Sequence, residues 1–113
     1  MATDVLAMAQ GYVAALQQAG VRAVLNPADI NPPCVWVRAP VMRFRFGRGC
    51  VSADWEARLY LIDSGYEQAL KTAVPLITQI QEALNFAVVE AVPSDWALPD
   101  GGTVPGYLFQ WTT

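Results

Sequence analysis

Histidine is absent from the sequence. The commonest general base and the commonest metal ligand are therefore missing, and neither a Ser–His nor a Cys–His nucleophile pair can be built. Lysine occurs once, as Lys71, so six of the seven basic residues are arginine. Arginine makes planar, paired contacts at interfaces where lysine stays solvated, although a GC-rich genome produces the same bias. Charge is scarce altogether, at 15% of residues against 54% hydrophobic. That balance excludes disorder and leaves less charge than a well-solvated small monomer carries. The net charge is −3 and no basic block stands apart, which argues against tight binding of duplex nucleic acid. No apolar run approaches the ~20 residues of a membrane span. The N-terminus lacks a basic region followed by an apolar one, so no signal peptide is read and the protein is expected to be cytoplasmic when made. Zinc and EF-hand spacings are missing, and Gly47-Arg48-Gly49 lacks the further glycines and following helix of a phosphate-binding loop. No cofactor is expected.

What is present points to a packed domain. The 113 residues fit one domain, 1–113. Four Trp, four Tyr and four Phe are more large apolar surface than so small a core can hide. An exposed apolar patch that meets a partner is the expectation. Cys34 and Cys50 lack the neighbours of a metal or redox motif and read as buried, reduced thiols, with a disulfide as the alternative should their strands be neighbours.

Residues 4–19 carry Val5, Met8, Ala9, Tyr12, Val13 and Leu16 at helical spacing, with Thr3 or Asp4 as cap and Gly20 as stop. Val21–Leu25 reads as a short strand. Asn26–Pro33, with two Asn-Pro pairs, is a loop that Asp29 helps to turn. Cys34–Arg38 and Val41–Phe46 follow as strands, separated by Pro40, and Gly47 and Gly49 bracket a turn. Val51–Ile62 has the longest strand signal: Trp55, Ala57, Leu59 and Leu61 alternate with Glu56, Arg58, Tyr60 and Ile62. Ser64 and Glu67 have the spacing of a capping box, with Asp63 beside it. The helix predicted after them runs to about Leu84 with a stripe of Tyr66, Leu70, Ala73, Ile77, Ile80 and Leu84, and Pro75 is expected to kink it. Phe86–Ala91 reads as a strand, Pro93–Pro105 as a loop carrying Trp96, and Tyr107–Thr112 as the last strand. The fold class is α+β, a mostly antiparallel sheet with two helices packed on one face.

Candidate functional residues lie in two places. Arg38, Arg43, Arg45 and Arg48 fall within eleven positions, and Arg43 and Arg45 alternate with Met42, Phe44 and Phe46. One reading is an edge strand whose charges block stray pairing. A second is an arm whose arginines meet acidic groups of a neighbouring subunit, and a third, minor one is contact with nucleic acid. Trp96 either folds back onto the core or stands out as an anchor for a partner. Asp54 and Glu56 point to one side of the long strand and read as a solvated or interface face rather than an acid–base pair.

The order of elements over nearly the whole chain, with the segment Asn26-Pro27-Ala28-Asp29-Ile30-Asn31-Pro32-Pro33-Cys34-Val35-Trp36-Val37, the strand ending Ala57-Arg58-Leu59-Tyr60-Leu61-Ile62, and the Tyr66–Leu84 helix, resembles the tail terminator proteins of long-tailed bacteriophages, especially those of actinobacteria. The resemblance implies an α+β subunit of a hexameric ring in the virion, at the tail–neck junction. Such a ring stops growth of the tail tube and joins it to the head connector. Its partners would be further copies of itself, the tail tube protein and the head connector or stopper protein, with DNA passing through the lumen and no membrane involved. It implies no reaction, cofactor or metal. Two other readings stand beside it: another connector-ring (stopper or completion) subunit, and a small bacterial ligand-binding module.

Overall fold

The computed structural model describes residues 4–85, 87–88 and 90–113. The chain runs α1 (Val5–Gln18), β1 (Ala23–Val24), a 3-10 turn (Pro27–Asp29), β2 (Cys34–Val37), β3 (Val41–Arg45), β4 (Gly49–Tyr60), α2 (Tyr66–Ala83), β5 (Val92–Ala97) and β6 (Thr103–Thr112). The expected α+β class is found; four strands stand between the helices, where three or four were expected, and two follow α2, the first of them later in the chain than expected.

Local chemistry explains the helix ends. The Asp4 carboxylate accepts the Ala7 N–H at 3.0 Å and starts α1, while Thr3 lies outside the described residues. Gly20 takes φ +86°, and the N–H of Val21 reaches back to the Leu16 carbonyl at 2.9 Å. The six-residue stripe of α1 packs into the main core as its spacing requires. α2 starts differently from expectation. Its N-cap is Gly65, which has no side chain to cap with, and this places Glu67 one position too early for a capping box. The Ser64 hydroxyl instead donates to the Ile62 carbonyl, and Glu67 pairs loosely with Lys71 at 3.6 Å. α2 is continuous through Pro75. Ala69, Ala73, Ile80 and Leu84 are buried, with Leu76 and Ile77 packed beside them, whereas Leu70 is half-exposed. The Tyr66 side chain lies outside the described residues.

The sheet has the order β1-β2-β4-β6-β5, with β3 also paired to β4. Only β1–β2 is parallel among these pairs. Along one edge β4 pairs with β2 through residues 57–60 and with β3 through residues 49–54, and along the other it pairs with β6 through residues 54–60. β2 and β3 thus lie end to end along β4, separated at Pro40, which has no N–H for a ladder. Period-two alternation holds: Ala53, Trp55, Ala57, Leu59 and Leu61 enter the main core with the helices, while Tyr60 joins Cys34 and Val104 on the opposite side. At the centre of the helix-covered side, Trp55 and Trp111 are cross-strand partners with parallel rings 6.4 Å apart. Tyr12 of α1 meets both edge-on, at 5.0 and 5.2 Å. Both cysteines are free and buried, at opposite ends of β4.

The chain beyond α2 departs from expectation. Residues 87, 88, 90 and 91 are not in a strand, and Phe86 and Val89 lie outside the described residues. The strand is β5, inside the stretch that its prolines marked as loop, and β6 begins ahead of Pro105. Neither proline breaks a ladder. β5 is an edge strand, where Pro93 is tolerated, and Pro105 lies past the last β4–β6 pair, Tyr60 with Gly106. Trp96 is therefore a strand residue. Its indole lies across Gly106, and its N–H donates to the Leu59 carbonyl at 3.1 Å. A Cβ on Gly106 would sit 2.0 Å from that carbonyl oxygen and 2.5 Å from the Trp96 ring. Gly106→Ala is expected to destabilise the protein by about 3 kcal/mol in chemical denaturation, with Trp96 fluorescence shifted in the folded state. An unchanged midpoint would mean that Trp96 does not lie across the strand in solution.

Candidate functional site

β4 is longer than the body that covers it. Twelve extended residues span about 40 Å. β6 pairs with β4 only from Asp54 onward, with one further contact in which Ala53 and Thr113 exchange backbone hydrogen bonds. The start of β4 and all of β3 therefore leave the body as a two-stranded arm. Every β3 residue is exposed. Val41, Met42, Phe44 and Val51 are exposed apolar residues along it, and Phe46 in its turn is fully exposed. The molecule measures 51 × 29 × 22 Å, with a radius of gyration of 14.6 Å against about 13 Å for a compact domain of this size.

The expected arginine group divides. Arg38 belongs to the body: its N–H donates to the Glu56 carbonyl and its guanidinium bonds the Glu56 carboxylate at 2.9 Å. Arg43 at the base of the arm grips the Asp54 carboxylate with both Nη atoms, one of them at 2.7 Å. Thr112 adds a third hydrogen bond to Asp54 at 2.8 Å. Arg45 ends β3 and Arg48 lies in the turn beside Phe46. Neither has an ion pair among the described residues. Register sets Arg43 opposite Ser52 and Arg45 opposite Gly49, while Met42 faces Ala53 and Phe44 faces Cys50, with a bulge between. The predicted separation of arginines from apolar residues is present, but no helix covers the apolar side.

The helix-free face of the body is already paired within itself. One Glu56 oxygen accepts from both Arg38 and Arg58, at 2.9 and 2.8 Å. The Arg58 guanidinium lies 4.4 Å from the Trp96 ring centre and 5.4 Å from that of Trp36. Trp96 also packs on Tyr60 at 6.0 Å, so it folds back onto the sheet. An open cleft of about 460 Å³ lies beside this network at the arm's base, lined by Arg38, Val41, Asp54, Glu56, Gln110 and Thr112 among others. Trp36 and Arg58 were not singled out as a pair by the sequence, because cross-strand register alone brings them together.

Neither carboxylate is tuned for proton transfer near neutral pH. The Arg43 and Thr112 hydrogen bonds and the Arg43 charge hold Asp54 down at about 2. Partial burial pushes Glu56 up, but the hydrogen bonds and charges of Arg38 and Arg58 outweigh it and leave it lowered. Burial raises the Cys34 thiol, against a backbone hydrogen bond and the charge of Arg22, which keeps it protonated and unreactive. No group of three or more Cys, Asp or Glu converges as a metal site among the described residues, and no helix among them is long and apolar enough to cross a membrane.

No protein-family model matches this chain, and no curated protein matches it significantly.

Asp54 gives a direct test of the arm's anchorage. Its folded pKa lies below the ordinary value, so the pairing stabilises the fold above the usual carboxylate range and is lost as pH falls through about 2. A carboxyl NMR titration is expected to place Asp54 there, and Arg43→Met to return it toward the ordinary range. A wild-type midpoint already in that range would show the base of the arm to be unpaired in solution.

Proposed function

We propose that this protein is a ring-forming structural subunit, a bacteriophage tail terminator that caps the tail tube, stops its polymerisation and joins it to the head connector. The single observation that carries the reading is the bare arm. A chain poor in charge projects Phe46, the most exposed aromatic side chain among the described residues, and two arginines without an ion pair among those residues away from its core, which costs solubility unless a partner covers them. The resemblance in element order supports the phage role. A ring of six copies, a tail tube partner on one side, a head connector on the other and a lumen passed by DNA belong to the same reading. The negative net charge suits a channel through which DNA moves without sticking. The paired, low-pKa carboxylates support assembly over catalysis.

The network of Trp36, Arg58 and Trp96 beside an open cleft favours a second reading, a small ligand-binding module. Native mass spectrometry with negative-stain imaging, over a range of protein concentrations, separates the two. A closed ring is expected, and capture of tail tube protein by that ring would distinguish a terminator from another connector ring. A monomer under every condition would remove self-driven ring formation and leave the binding module ahead.

A further inference from the structure

The two ends of β4 are chemically opposite. The arm, residues 41–51, carries Arg43, Arg45 and Arg48 and no acid, a charge of +3. The whole chain is −3, so the remainder carries −6. At the far end, past Leu61, the start of α2 faces β5 and β6 across an open space. A groove of about 140 Å³ opens there, walled by Leu61, Leu70, Pro93, Pro105 and Tyr107, with Asp95 on its rim. An adjoining hollow shares Asp95 and Pro105 and adds Asp63. Both aspartates are exposed and neither has an ion pair among the described residues.

The groove is open, and its volume is of the order that one aromatic ring needs: an enclosed apolar cavity of roughly 150 Å³ holds a benzene molecule. The tip of the arm offers one such ring, Phe46, between Arg45 and Arg48 in the run Arg45-Phe46-Gly47-Arg48. An aromatic ring flanked by two cations thus matches an apolar slot flanked by two anions. The same chain cannot join them, because the length of β4, about 40 Å, separates tip from groove.

We propose that the arm tip of one copy seats in the α2–β5 groove of a second copy, with Phe46 in the slot and Arg45 and Arg48 against Asp95 and Asp63. This inference rests on the self-association in the proposed function, and not on its phage role. The contact is head-to-tail, so each copy offers one tip and one groove, and repetition closes a ring or extends a filament. Arg38 and Arg43 stay with their own carboxylates and do not take part.

The test uses the full chain in two charge-reversed forms, one with Arg45→Asp and Arg48→Asp, the other with Asp63→Arg and Asp95→Arg. All four positions are exposed, and thermal unfolding checks that each form folds. Native mass spectrometry is expected to show each form failing to assemble alone. An equimolar mixture is expected to regain assembly, because every tip then meets a groove of opposite sign in an alternating arrangement. Phe46→Ser, in an exposed turn, is expected to weaken association by about tenfold or more. If the wild type assembles but the reversed forms also assemble alone, or their mixture fails to recover, this pairing is wrong while the ring stands. If the wild type is monomeric up to millimolar concentration, the pairing and the self-driven ring fall together.

Discussion

One mismatch of length governs this molecule: β4 outruns the body that packs on it. A strand buried along its length would have a partner on each edge and a helix above it. β4 is flanked on both edges only from Asp54 to Tyr60, by β6 throughout on one side and on the other by β2 at residues 57–60 and the first residue of β3 at Asp54. Beyond that stretch only β3 follows it outward, and a lone two-stranded ribbon is marginal in water. The base of the ribbon is accordingly tied down: the bidentate Arg43–Asp54 contact, reinforced by Thr112, and the Ala53–Thr113 backbone pair join it to β6. The arm is held at its root and bare at its tip.

The body follows from the other half of β4. Trp55 and Trp111 meet across the β4–β6 ladder, and Tyr12 lies edge-on against both, so α1 is seated on the same residues that join the two longest strands. On the opposite side no helix lies among the described residues. Arg58, Glu56, Arg38, Trp36 and Trp96 cover the sheet by lying flat on one another, charge against charge and guanidinium against ring. Side chains already satisfied in this way have little left to offer a partner chain, and leave the cleft beside them as the room for a small ligand. Arg45, Arg48, Asp63 and Asp95, which have no ion pair among the described residues, lie toward the two ends of the long strand, and the proposed contact between copies is built there.

Much of the fold was legible in the residues. The α1 stripe, its Gly20 stop and the alternation of Trp55, Ala57, Leu59 and Leu61 all state a period and a face, and those are properties of the local chain. The region after α2 was not legible. Pro93 and Pro105 announce a loop to any local reading, and only their places in the sheet, on an edge strand and past the end of a neighbour, make them harmless. Trp96 had the same fate: Gly106, ten residues on, provides the room for its indole to reach Leu59. The Ser64–Glu67 box failed because the chain enters α2 one residue later than its spacing implied.

The candidate site divides along the same line. The sequence by itself determined that an arginine- and aromatic-rich segment stands between Pro40 and Cys50, that histidine chemistry is excluded, and that apolar surface exceeds what the core can hold. Composition and spacing suffice for these, since each concerns residues close together in the chain. Only the tertiary structure decided which arginines are free. Arg38 and Arg43 are taken by Glu56 and Asp54, eighteen and eleven residues away, because antiparallel register puts them side by side. Register likewise gathered Leu61, Leu70, Pro93 and Tyr107 into one groove at the far end from Phe46. Contacts of that kind depend on how strands pair across long loops, and no local period in the chain encodes them.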